Sequence, residues 1–433
     1  MLNVEILDIF LAGRLCGMLF RFNNGSSSVI TRFVPDQDFM HLAPQPTLSL
    51  SLLAEDAAQQ MAFWNDVTHN PALNGVDGRL PVFFQNMLPE GVFRTQLAQE
   101  RNCKENDHFA LLAACGLDLP GAITALPAHV SRDELALLVT QGNDALEMSV
   151  TADPLPLGVS ISGMQPKLGL IEQGGRYVAR RRDGITRIIG KLPQADRPLL
   201  PEVEHLSLSL ASAVGARVCE HKLVPLAELD FSHHFTLGGS SQFLAVTRFD
   251  RDGERRIHCE DFAQALAVDP QNKYTGATYA AMAALMMRHP ATLGIPAVHE
   301  LFRLITINEL MGNYDGHLKN FCLIYPDGQQ PVLAPAFDLV AWSVYISGQG
   351  NGLAMYRDAD AQVAAQTRKS TLSPYSLRRL CNLANVPEKP FLAVVRETVR
   401  KAQALWPSMI EDSSLLGSQK ERLLERLRAH RFQ

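Results

Sequence analysis

Apolar and polar positions alternate along the opening of the chain. Over residues 4–10, 17–22 and 29–34 the alternation is that of half-buried strands, and Ala12–Gly13 and the Asn23–Asn24–Gly25 run between them are hairpin-turn signals. A further β segment is expected at 47–53, where Leu and Ser alternate. Helical periods follow at 56–65, 91–100 and 107–114, the last stopped by Gly116. The stretch 118–130, rich in Pro, Gly and Ala, reads as a junction. The pattern predicts an α+β unit over 1–128.

The character changes over 129–250. A short helix is expected at 132–140, then a Pro/Gly loop at 153–158 and β segments at 159–170, 176–180 and 185–192. Val203, Leu206, Leu210 and Val214 form the apolar stripe of a helix over 202–214, with Gly215 at its C-terminal end. Strands at 221–226 and 242–249 complete a sheet with one inserted helix. Over 251–433 helical periods dominate, at 277–287, 297–310, 376–384, 389–405 and 418–430. A hairpin at 321–325 and 330–334, turning at Pro326–Asp327–Gly328, interrupts them. The fold class is α+β, with no internal repeat.

Composition narrows the class. The chain has 433 residues, 46% hydrophobic and 20% charged, which suits a globular protein of two or three units. A net charge of −5 and a pI near 6.2 argue against a large basic face for DNA. Seven scattered cysteines, none in a CxxC pair, suggest neither a disulfide framework nor a zinc site. Glu5, Asp8 and Arg14 break the N-terminal apolar run, and no run is long enough to span a bilayer. A cytoplasmic protein with no membrane association is expected.

The chemistry concentrates in Asn313–Tyr314–Asp315–Gly316–His317–Leu318–Lys319–Asn320 and in Ala336–Phe337–Asp338. An Asp, then an Asn five positions on, then a second Asp beyond a short hairpin is the wiring of an ATP-dependent phosphotransferase. Asp315 is the candidate base for an acceptor hydroxyl. Asn320 and Asp338 are candidate Mg²⁺ ligands, since hard oxygens together with phosphates suit that ion. Lys319 is a candidate for stabilising charge on the moving phosphoryl group. His317 reads equally as an ATP contact or as a packed loop histidine.

Three further segments fit the same chemistry. Ser160–Ile161–Ser162–Gly163–Met164–Gln165–Pro166–Lys167 is a small-residue turn whose backbone N–H groups could approach phosphate oxygens, although it has neither a Walker A nor a GxGxxG spacing. Its bland alternative is a β-turn with two surface serines. Lys191, closing a β-branched run, is a candidate partner for ATP phosphates, and Glu204 on the following helix is placed to pair with it. Thr247 and Phe249 lie in a stretch that can serve as a hinge, offering main-chain groups and an apolar ring to adenine; an ordinary core strand is the competing reading.

Together these segments resemble the HipA family of bacterial serine/threonine kinase toxins. The resemblance rests on 160–167, on Ile188–Ile189–Gly190–Lys191–Leu192–Pro193, on Thr247–Arg248–Phe249–Asp250, and on 313–321 with 335–338. Leu48–Ser49–Leu50–Ser51–Leu52, 83–89, 109–112 and 121–124 extend it through the N-terminal part. It implies a bilobal, protein-kinase-like (PI3/4-kinase-like) core: an N-terminal α+β subdomain at 1–128, an N-lobe with the phosphate loop at 129–250, and a helical C-lobe at 251–433. It also implies Asp315 as base, Asn320 and Asp338 on Mg²⁺, and ATP contacts from Ser162, Gly163, Met164, Gln165, Lys167 and Lys191. Ser160 aligns with a serine that family members autophosphorylate to switch themselves off. Ser162 stands where Ala is common, so either serine or both can be the acceptor. The partners implied are a HipB-like helix-turn-helix antitoxin, DNA only through that antitoxin, and a protein substrate such as an aminoacyl-tRNA synthetase. Two alternatives stay open: a catalytically silent antitoxin-binding co-repressor, and a small-molecule kinase sharing the same Asp/Asn logic.

Overall fold

The computed structural model describes residues 2–23, 28–128, 146–148, 153–155, 158, 160, 165–179, 185–230, 235–348, 350–357 and 371–430. The helix expected at 132–140 and the loop residues 161–164 lie outside them. Alternation at the N-terminus produces the antiparallel strands β1 (Leu2–Leu11), β2 (Arg14–Asn23) and β3 (Val29–Pro35), with β4 (Asn74–Gly75) at one edge. β5 (Ile123–Pro127) pairs with β1 on the other side, and β6 (Leu146–Met148) runs parallel to β1. Leu7, Ile9, Leu11 and Leu19 point to one face, where Phe33, Phe84, Phe109 and Leu112 bury them. Val4, Ile6, Phe20 and Phe22 fill the opposite face, as a two-residue side-chain period requires.

Two expectations fail in this unit. The stretch 118–130 is no linker: it contributes β5, and Asp118 is fully buried. The segment 47–53 forms a 3₁₀ turn, Leu50–Leu52, instead of a strand. The cause is a buried carboxylate from far along the chain. Glu260 accepts from the Ser49 hydroxyl at 2.5 Å and from the Leu50 N–H at 2.9 Å, so one backbone donor that a sheet could use is turned onto a side chain.

The second sheet is ordered β10 (His221–Pro225), β12 (Gln242–Thr247), β9 (Ile188–Lys191), β7 (Lys167–Gln173), β8 (Arg176–Ala179), β11 (Leu229–Asp230). Helix Leu200–Ala213 buries Val203, Leu206 and Leu210 and carries Glu204 beneath β9. A small hairpin, β13 (Arg251–Asp252) and β14 (Arg255–Arg256), follows the sheet. The predicted hairpin at 321–334 gains a third strand: β15 (His258–Asp261) pairs with β16 (Cys322–Tyr325), which pairs with β17 (Val332–Leu333). Around it gather the helices Tyr279–Met287, Gly294–Met311, Pro374–Leu383, Glu388–Glu411 and Gly417–Ala429, whose apolar stripes share one large core. Among the described residues no helix is long and apolar enough to cross a membrane.

Helix Gly294–Met311 ends at Gly312, where φ is +71°. That left-handed turn aims the chain into the loop carrying Asp315. A Cβ there would meet Ser343 Cβ at 2.6 Å and Arg426 Nε at 2.9 Å, so glycine satisfies both conformation and space.

Candidate active site

Strand β9 ends at Lys191, whose side chain runs into the interior, only 5% exposed. Its ammonium bonds Glu204 Oε1 from the helix below and Asp338 Oδ1 at 2.5 Å from beyond the hairpin. Lys167, at the start of β7, brings a second ammonium within 3.7 Å of Asp338 Oδ2. Strand register explains the pair, since Lys167 and Lys191 sit opposite each other in the β7–β9 ladder. Against the upward pull of burial, the two lysines hold the Asp338 carboxyl well below its usual range. Lys191 is pushed up: burial opposes its charge, but Asp338 and Glu204 outweigh it. Burial lifts the Glu204 carboxyl above its ordinary value. Asp338 itself has φ +55°, a strained conformation for a non-glycine residue and one often found where side-chain aim matters.

A cavity opens above this cluster. It is lined by Lys167, Lys191, Thr247, Phe249, Asn320 and Asp338 among others, and Ser160 borders it. Phe249 lies against Phe337 with ring centroids 5.3 Å apart, giving the cavity an aromatic wall. The Thr247 and Arg248 N–H groups are already committed, to the Glu220 and Arg187 carbonyls at 2.9 Å each. A purine edge here would therefore meet other main-chain groups than these two donors.

Asp315 stands at the side of the cavity with its side chain 41% exposed, joined to it through Asn320. The Asn320 amide nitrogen donates to the Asp315 carbonyl at 2.8 Å, which leaves its Oδ1 as the atom suited to ligate a cation. Asn320 and Asp338 supply two hard oxygens facing a cavity with two ammonium groups. That donor set fits Mg²⁺ completed by phosphates, and no cluster of three or more acidic, His or Cys ligands is found among the described residues.

Other expected site residues are engaged in contacts of their own. Gln165 donates to the Leu192 carbonyl at 3.1 Å and so pins the loop to β9 instead of facing the cavity. Ser160 is buried, and its hydroxyl donates to the Met87 carbonyl. Ser162, Gly163 and Met164 lie outside the described residues. His317 lies beneath the loop, 3% exposed, with Nε2 3.9 Å from Asp315 Oδ1. Burial and then Lys273 push its pKa down to about 4, which favours the neutral ring near pH 7. Lys319 lines the same cavity, with its charge already paired. Its ammonium bonds Glu90 Oε1 at 2.8 Å and the Asn86 carbonyl at 3.0 Å, and its side chain is 1% exposed.

Sequence reasoning missed Tyr274. Its hydroxyl donates to Asp315 Oδ1, and its ring meets His317 edge-on at 4.9 Å. It lies in a polar loop with no periodicity, and no local signal marks it. Also missed was the buried charge network beside the hinge. Arg248 bonds Asp250 at 2.7 Å and Asp118 at 3.1 Å, and Arg251 bonds Asp118 at 3.0 Å and Asp250 at 2.7 Å. Asp118 also accepts from the Thr186 hydroxyl at 2.5 Å.

The arrangement gathers two buried ammonium groups, an amide oxygen and the Asp338 carboxylate around one cavity, with Asp315 joined to it through Asn320. Comparison with known proteins places it in a family. The family model for the HipA N-terminal domain matches residues 7–126, and that for the HipA-like C-terminal domain matches 159–406. The chain belongs to the HipA family. A Sinorhizobium fredii protein named as a kinase, Y4dM, is 32% identical over 93% of this chain and 92% of its own. The serine/threonine-protein kinase toxin HipA of Shewanella oneidensis is 26% identical over 63% of this chain and 65% of its own. A solved complex of HipA, HipB and operator DNA from Shewanella oneidensis contains a chain alike in fold. Its TM-score is 0.66 at 20% identity, covering 98% of this chain and 97% of that one.

Proposed function

We propose that the chain is an ATP-dependent serine/threonine-protein kinase, the toxin of a HipA/HipB-like toxin–antitoxin pair. The observation that carries this reading is Lys191 bridging Glu204 and Asp338 at the floor of a cavity that Asn320 links to Asp315. A bilobal kinase-like core accounts for it, with the sheet unit at 129–250 above, the helical unit at 251–433 below and the α+β subdomain at 1–128 beside both.

Lys191 and Lys167 hold the ATP phosphates, and Phe249 faces the adenine. Mg²⁺ on Asn320 and Asp338 neutralises phosphate charge when bound. Asp315 orients the acceptor hydroxyl and takes its proton as the oxygen attacks the γ-phosphorus. The bond to the β-phosphate oxygen breaks and ADP leaves. The acceptor is a serine or threonine of a protein, an aminoacyl-tRNA synthetase being the class implied by family resemblance.

Ser160 or Ser162 is also an acceptor. Ser160 must leave its bond to Met87 to be phosphorylated, and a phosphate of about −2 charge cannot return to that enclosed place. Autophosphorylation thereby switches the enzyme off. The fold shared with a HipA–HipB–DNA complex supports a HipB-like antitoxin as partner and DNA contact through that antitoxin; a cytoplasmic setting belongs to the same proposal. The test is transfer of labelled γ-phosphate from Mg²⁺-ATP to the chain itself and to casein. Transfer that D338N and K191M abolish supports the reading; no transfer by the wild type overturns it.

A further inference from the structure

Lys319 sits one residue before Asn320 in the base-bearing loop, yet its charge is satisfied from the other end of the sequence. Glu90, at the start of helix Gly91–Arg101 in the N-terminal unit, accepts from Lys319 at 2.8 Å through one oxygen. Through the other it accepts from Lys273 at 2.6 Å. A single carboxylate thus holds two ammonium groups, and each leads to Asp315 by a different route. Lys319 adjoins Asn320, whose amide bonds the Asp315 carbonyl at 2.8 Å. Lys273 adjoins Tyr274, whose hydroxyl bonds the Asp315 carboxylate, and the Lys273 carbonyl accepts the Leu318 N–H at 3.2 Å. Backbone and side chain of Asp315 are therefore both anchored, through two short relays, on one residue of the N-terminal unit.

We propose that Glu90 is a positioning residue for the phosphotransfer reaction, through which the N-terminal unit holds Asp315 and Asn320 in working register. Resting on the kinase reading, it assigns that unit a part in catalysis as well as any part in partner binding. The physical ground is the depth of the contact. Lys319 has 1% of its side chain exposed, so without Glu90 its charge stays buried, bonded to the Asn86 carbonyl and without a carboxylate hydrogen-bonded to it, the buried Asp261 acting on it through space alone. The loop must then move to rehydrate it, and Asn320 moves with it. Against the pull of burial, the two lysines hold the Glu90 carboxyl down to about 2, so the anchor is charged throughout the working pH range.

The test compares wild type, E90Q, E90D and K273M for initial rates of autophosphorylation and casein phosphorylation over a range of Mg²⁺-ATP. T47V, which removes a different contact between the N-terminal unit and the hairpin turn, from the Thr47 hydroxyl to the Gln329 carbonyl at 2.8 Å, is the control. E90Q is expected to lower kcat by about 10- to 100-fold while KM for ATP stays within about twofold. E90D should recover part of the loss, K273M should show a smaller fall in kcat, and T47V should match wild type. If E90Q does not fold, K273M carries the test, because it removes one of the two relays and leaves the Glu90–Lys319 pair in place. A kcat within about twofold of wild type in E90Q, or in K273M where E90Q is not folded, overturns the proposal while leaving the kinase reading standing. So does an equal loss in T47V. Absence of transfer by the wild type removes both.

Discussion

Lys191 Nζ and Asp338 Oδ1 lie 2.5 Å apart, although Lys191 closes strand β9, Asp338 lies beyond the hairpin strand β17, and 147 positions separate them along the chain. Glu204 completes the bridge from below, wholly buried. Removing the lysine leaves Glu204 without its ammonium in an apolar setting. K191M is expected to lower stability by about 3–5 kcal/mol, read by urea unfolding, and to abolish the rise in Tm that Mg²⁺-ATP gives the wild type. The double variant K191M/E204L should regain much of the lost stability without regaining the ligand response.

The residues that follow strand β12 are braced by Asp118, far back along the chain. Asp118 receives both Arg248 and Arg251, and all three side chains are buried. D118A should cost about 3–5 kcal/mol, because it leaves part of the charge of two buried guanidinium groups uncompensated. A cycle with R251M is expected to show coupling of about 1–3 kcal/mol, measured as the difference between the double variant and the sum of singles. Additive losses would mean the network acts as separate pairs.

Part of this design was legible in the sequence. The order loop, Lys191, Glu204, hinge, Asp315/Asn320, Asp338 follows the chain, and each member carries a local signal: a β-branched run, a helical stripe, or a turn between apolar segments. The N-terminal strands were legible for the same reason. What failed depends on distant partners. Leu/Ser alternation at 47–53 imitates a strand, but Glu260 bends it into a turn. Residues 118–130 look like a linker until Arg248 and Arg251 arrive to bury Asp118. The pairing of Lys319 with Glu90, 229 positions away, has no local signal either. Strand β15, with His258, Glu260 and Asp261 in four positions, lacks an apolar alternation; His258 and Glu260 instead bond to Leu48, Ser49 and Leu50 from far along the chain.

Glu260 makes stability depend on pH. Burial pushes its pKa up to about 7 even though Ser49, Tyr325 and the Leu50 N–H all donate to it. A carboxyl raised in the folded state contributes its stability fully below the unfolded value near 4.5 and loses it as pH rises to about 7. E260Q should therefore remove about 3 kcal/mol of the decline in unfolding free energy across that window. Chemical denaturation at pH 5, 6 and 7.5 reads it; parallel profiles for the two proteins would contradict the assignment.

Phe249 stacks loosely on Phe337 at the cavity wall. F249A should weaken ATP binding by about tenfold, followed by fluorescence titration with a labelled nucleotide. Guanidine unfolding should change little by comparison, since Phe249 is only partly buried.

The most direct measurement is intact-mass and peptide mass spectrometry after incubation with Mg²⁺-ATP, wild type beside D315N. Phosphate on Ser160 or Ser162 in the wild type, and none in D315N, is the predicted result. No phosphate on either serine while ATP binds, or equal phosphate in both proteins, would contradict the roles given to Asp315 and the loop serines.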